Sequence, residues 1–88
     1  MTTKPPSSVK PAPGQSLEAL AYASVAGIPT VEPHDRDRLG FNVWRWLKYR
    51  RDSLEATVRS TGARLLISED EAVEKIRAYL RGVGIAPE

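Results

Sequence analysis

The sequence predicts one small, mostly helical domain with a short β element, spanning residues 16–83. Three observations lead there. The first fifteen residues, MTTKPPSSVKPAPGQ, hold four prolines and only Met1, Val9 and Ala12 as apolar side chains. A central block, FNVWRWLKYRR at 41–51, has helical spacing of its apolar residues. A third segment opens on Ser68 and closes on Gly82 with start and stop signals of a helix.

The proline-rich start cannot bury enough surface to offset its ordering entropy, so residues 1–15 are expected to be a disordered tail with polyproline-like stretches. Residues 84–88 are expected to be a flexible C-terminus. What remains of the 88 residues, about seventy, is a size at which one core is marginal. Support from a dimer or a bound partner fits that size.

Taken in order, Ser16 is placed to cap a short helix from Leu17 to about Val25, ended by Gly27. Its narrow packing face is Leu17, Leu20, Ala21 and Ser24. The next stretch, GIPTVEP, reads as extended, because Pro29 and Pro33 push their preceding residues away from the α region. Within it, Ile28 and Val31 are candidates for an edge strand or core anchors. His34–Arg38 alternates charge and reads as a solvated turn or loop, and Leu39-Gly40-Phe41 as an apolar pair around a turn-permitting glycine.

Asn42 is the expected N-cap of the central helix. At about 100° per residue Val43 and Leu47 share a face, with Trp46 beside them. Trp44 then points away and needs a second surface, while Arg45, Lys48 and Tyr49 lie on the far side. Two continuations stay open. Leu54 and Val58 return to the face of Val43 and Leu47, giving a three-helix domain with a long central helix over about 42–60 and Gly62 as its cap. Alternatively the helix stops near Asp52-Ser53, and Ala56–Arg59 pairs with Ala63–Ile67 as a β-hairpin around Ser60-Thr61-Gly62.

The last helix is the plainest. Ser68 with Glu71 three residues on is a capping box, and Glu69 and Asp70 put negative charge at the positive end of the helix dipole. Ala72, Val73, Ile76, Tyr79 and Leu80 make its apolar face.

Several function classes drop out. There is no cysteine, so no disulfide framework and no thiolate metal site, which fits a cytoplasmic protein. The single histidine, His34, cannot by itself form a metal site or a nucleophile–base pair. Phosphate-loop, nucleophile-elbow, zinc-protease and calcium-loop spacings are all missing. No enzyme activity and no cofactor are expected. No apolar run approaches the roughly 20 residues that span a bilayer, and the N-terminus lacks a signal-peptide core.

What survives is charge. The net charge is only +2, but residues 34–64 hold eight basic against four acidic residues, while 65–88 hold three against five. A basic centre is a footprint for a polyanion. Candidate DNA contacts are Arg45, Lys48, Tyr49 and Arg51 on the central helix, with Arg59 and Arg64 near the hairpin tip. Trp44 is a candidate interface residue.

The order of features resembles the excisionase-like and MerR-like winged helix-turn-helix domains of phage and plasmid regulators. The matching pieces are Thr30-Val31-Glu32, Leu39-Gly40, Val43-Trp44-Arg45-Trp46-Leu47-Lys48, the Val58–Leu66 segment around Gly62, Leu66-Ile67-Ser68 and Ala78-Tyr79-Leu80, covering about residues 29–81. The resemblance implies a winged helix-turn-helix-like fold and sequence-specific binding of double-stranded DNA, often as dimers or cooperative copies. It also implies a regulator or recombination accessory factor, with recognition by Arg45 and Lys48 and wing contacts by Arg59 and Arg64. The rival expectation is a helical adaptor or inhibitor that binds a protein partner, or homodimerises, through the tryptophan-bearing helix.

Overall fold

A computed structural model of the protein describes residues 16–87; the tail expected over 1–15 lies outside them. The described residues form four helices: α1 (Leu17–Val25), α2 (Pro33–Tyr49), α3 (Leu54–Ser60) and α4 (Glu69–Gly82). Each packs on two neighbours in a closed cycle, α1 on α2, α2 on α3, α3 on α4 and α4 on α1. The core lies inside that cycle, built from Ala21, Val25, Leu39, Val43, Trp46, Leu54, Val58, Ile76 and Leu80 among others. Each large aliphatic side chain buried there contributes roughly 1.5–3 kcal/mol.

Ser16 caps α1, its Oγ accepting from the Ala19 amide at 3.1 Å. Leu20, Ala21, Ser24 and Val25 are buried, but Leu17 is not on the packing face expected for it and remains exposed.

α2 begins ten residues earlier than the sequence suggests, with Glu32 rather than Asn42 as its N-cap. Pro33 does not end anything. It occupies the first helical turn, where its missing N–H costs nothing and its fixed φ suits a helix. Asp35 then accepts from the Glu32 amide at 3.0 Å. The supposed loop 34–38 is therefore helical, and Asn42 is no cap: its Nδ2 donates to the Arg38 carbonyl one turn back. Gly40 is a packing residue rather than a turn. A Cβ there would meet the Tyr22 ring, 2.7 Å from Cε1, so only glycine lets α1 lie this close to α2.

Neither expected continuation occurs. α2 stops at Tyr49 because Arg50 takes a left-handed conformation, φ 54° and ψ 41°, which breaks the long helix over 42–60. The Arg50 guanidinium lies 4.5 Å from the Trp46 ring centroid and donates to the Ala86 carbonyl at 2.8 Å, contacts that help hold this strained residue. Trp46 Nε1 donates to the Asp52 carbonyl at 2.7 Å and closes the turn. Ser53 then caps a new helix, accepting from the Ala56 amide. Residues 56–59, expected as the first hairpin strand, are thus helical. Burial of Leu54 and Val58, one turn apart, overrides the β preference of Thr57 and Val58.

The expected hairpin does not form and no strand is present among the described residues; residues 29–31 and 64–66 meet only at an isolated β-bridge. Residues 63–67 alternate in burial: Ala63, Leu65 and Ile67 pack on the core, whereas Arg64 and Leu66 are exposed. They pair with 29–31 through one antiparallel bridge, Thr30 to Leu65, flanked by Val31 N–H to the Arg64 carbonyl and Leu66 N–H to the Pro29 carbonyl, both 3.0 Å. No strand longer than this bridge exists among the described residues. Gly62, at φ 76°, makes the turn out of α3. Of the two candidate anchors, Ile28 is buried and Val31 is exposed.

α4 matches its sequence signature. Ser68 Oγ accepts from the Glu71 amide, and Ala72, Val73, Ile76 and Leu80 are buried. Beyond α4 the Ile85 amide donates to the Leu80 carbonyl at 2.8 Å, and the Ile85 side chain packs on the core.

Candidate nucleic-acid interface

The two tryptophans separate as their spacing requires. Trp46 is buried at 5% exposure, while Trp44 sits half-buried at the edge of the core. α2 presents its remaining surface to solvent over about 25 Å. Between Arg38 and Arg51 that stretch holds five cations and no carboxylate.

Two ridges run along it. One is Phe41, Trp44 and Lys48, at i, i+3 and i+7; the other is Arg38, Asn42, Arg45 and Tyr49, on the side nearer α3. Rings and cations interleave. The Lys48 ammonium lies 5.3 Å from the Trp44 centroid and 5.4 Å from that of Tyr49. Arg45 sits 5.9 Å over Phe41, and Arg51 sits 5.4 Å over Tyr49. Phe41 and Trp44 meet at 5.6 Å in a tilted arrangement. Each exposed cation–π contact is worth about 0.5–1 kcal/mol, enough to bias the side chain without removing its charge from water.

Arg45, Lys48 and Arg51 make no ion pair with a described carboxylate. Arg59 and Arg64 differ. Arg59 points to Glu69 at the start of α4, 3.7 Å away. Arg64 reaches Asp35, 3.2 Å away, whose side chain is only 3% exposed. Burial alone would raise the Asp35 pKa. Hydrogen bonds from Arg64 and from the Glu32 amide, with the guanidinium charge, outweigh it and hold the carboxyl below its ordinary value. Of the six residues assigned to DNA from the sequence, the fold therefore gathers Arg45, Lys48, Tyr49 and Arg51 on one face. Arg59 and Arg64 belong to ion pairs elsewhere.

Beside that face, α2 and α3 enclose an open cleft of about 430 Å³. Arg45, Tyr49 and Arg51 line one side, with Asn42 above them, and Thr57 and Ser60 of α3 line the other. Arg38, Phe41, Thr57 and Ser60 were missed in the sequence. Arg38 and Phe41 fall seven and four residues before Arg45, a periodicity visible only once α2 is known to start at Pro33.

No group of three or more His, Cys, Asp or Glu among the described residues is placed to hold a metal ion. No buried side-chain nitrogen or oxygen there lacks a partner. No described helix is long and apolar enough to cross a membrane. No protein-family model, curated protein or solved structure matches the chain.

Proposed function

We propose that the protein binds double-stranded DNA through the outer face of α2, as a non-enzymatic regulator or recombination accessory factor. The observation that carries this reading is the set Arg45, Lys48 and Arg51, which lie against the rings of Phe41, Trp44 and Tyr49. Elsewhere on the domain the arginines at 59, 64 and 77 are matched to acids. A helix of this length fits a major groove, where Arg45 can reach base edges and Lys48, Tyr49 and Arg51 can hold phosphates.

The test is titration of a labelled duplex by anisotropy at two salt concentrations. With about four phosphates neutralised, affinity falls roughly 100-fold between 50 and 200 mM salt. Duplex affinity that ignores salt, or that survives replacement of both Arg45 and Lys48 by alanine, removes α2 as the binding element.

A second reading rests on Phe41 and Tyr49, which are 44% and 52% exposed beside half-buried Trp44. Such a set could anchor a protein partner or a second copy of the chain. It predicts concentration-dependent association lost in Trp44→Ala, with no response to DNA.

A further inference from the structure

We infer that the cleft between α2 and α3 is a phosphate-binding subsite, with α3 supplying its second wall. The inference rests on the DNA reading and names the part of the ligand that the cleft takes. The cleft is lined by Arg45 and Arg51 together with the hydroxyl- and amide-bearing residues Tyr49, Thr57, Ser60 and Asn42. Guanidinium groups supply charge and paired donors, and hydroxyl and amide groups complete the shell of a tetrahedral oxyanion.

Existing bonds leave this capacity open. Asn42 uses one amide hydrogen on the Arg38 carbonyl and keeps the other. Ser60 donates to the Thr57 carbonyl at 3.1 Å, but that bond is exposed and exchangeable. The Trp46 indole N–H is committed to the Asp52 carbonyl, so it closes the cleft floor without donating to a ligand. Asp52 is the one acid on the lining, against two arginines. A phosphate can reach the cleft as a backbone diester or as a free anion, and the chemistry is the same for both.

The experiment uses the full chain and three charge-matched variants. Thr57→Glu and Ser60→Glu each place a carboxylate in the cleft. Ala78→Glu places one on the exposed side of α4, outside the lining. Circular dichroism confirms folding, and the exposed position of Ser60 makes Ser60→Glu the variant of record if Thr57→Glu misfolds. Duplex affinity at low salt is expected to fall at least tenfold in the cleft variants and less than twofold in Ala78→Glu. The salt slope is expected to fall by about one phosphate. Equal losses in all three variants overturn the subsite as a general charge effect. Unchanged affinity in the cleft variants overturns it while leaving the DNA reading intact, provided Arg45→Ala/Lys48→Ala still abolishes binding. If the wild-type chain ignores duplex DNA, titration with inorganic pyrophosphate followed by tryptophan fluorescence decides. A response lost in Arg51→Ala supports a free-anion site, and no response overturns it.

Discussion

Two regions of this domain treat positive charge in opposite ways. Around α3, α4 and the extended segment, arginines are matched to carboxylates: Arg64 to Asp35, Arg59 to Glu69, and Arg77 to both Glu55 and Glu74. On the outer face of α2 and in the turn after it, Arg45, Lys48 and Arg51 lie against Phe41, Trp44 and Tyr49. The first arrangement neutralises charge and ties elements that are far apart in sequence. The second keeps charge in water and orders it along a helix. The difference teaches that basic residues counted together in the sequence do two separate jobs, structural and exposed.

The comparison can be broken most severely at the two tryptophans. Trp46→Ala removes a buried ring together with its bond to the Asp52 carbonyl, and should cost about 3–5 kcal/mol in chemical denaturation. Trp44→Ala should cost about 1 kcal/mol, since only part of the ring packs on the core. Similar losses at both positions would erase the distinction between an inner and an outer face of α2.

Next in size is Arg45→Ala/Lys48→Ala. It should lower duplex affinity tenfold or more at low salt while changing stability by no more than about 0.5 kcal/mol. The reverse pattern, lost stability with retained affinity, would move these residues into the structural class.

Stability should also respond to pH through the paired region. Asp35 and Glu55 both have lowered pKa values, Glu55 through the Arg77 side chain that bonds it. A carboxylate with a depressed folded-state pKa contributes stability above its unfolded value, near 4, and loses it as pH falls through the folded value. Thermal melts should therefore be flat from neutral pH to about 5 and drop below about 4. In Asp35→Asn the melting temperature at neutral pH should fall and the acid-induced drop should shrink. An unchanged acid profile in that variant would show that the buried pair does not stabilise the fold.

The smallest effect belongs to Arg59→Ala. Its pair with Glu69 is largely exposed on both sides, so stability should change by less than about 1 kcal/mol. Duplex affinity should fall less than threefold. A loss as large as that of Arg45→Ala would return Arg59 to the binding face.

Local signals explain what was legible. Ser16, Ser68 and Gly62 act within one turn of themselves, so the starts of α1 and α4 and the turn at Gly62 could be read directly. The left-handed glycine beyond α4, by contrast, is Gly84, with Gly82 the last residue of the helix. The inward Trp46 and outward Trp44 followed from helical geometry once residues 43–48 were helical. Pro33 misled although its role is set locally: it sits at the first helical position, inside a capping box formed by Glu32 and Asp35 that the sequence reading missed. Asp35 was read as solvated, and its partner stands 29 residues away.

By itself, then, the sequence determined where caps act, which face of 43–48 turns inward, and that positive charge concentrates in the middle of the chain. Tertiary structure decided the rest. It tied Asp35 to Arg64 and brought α1 against α2 at Gly40. It broke the chain at Arg50, and it paired 63–67 with 29–31 instead of with 56–59. The physical reason is range: caps and periodicity are fixed by residues within a few positions, whereas ion pairs, close helix approach and strand pairing depend on surfaces that meet only when the core forms.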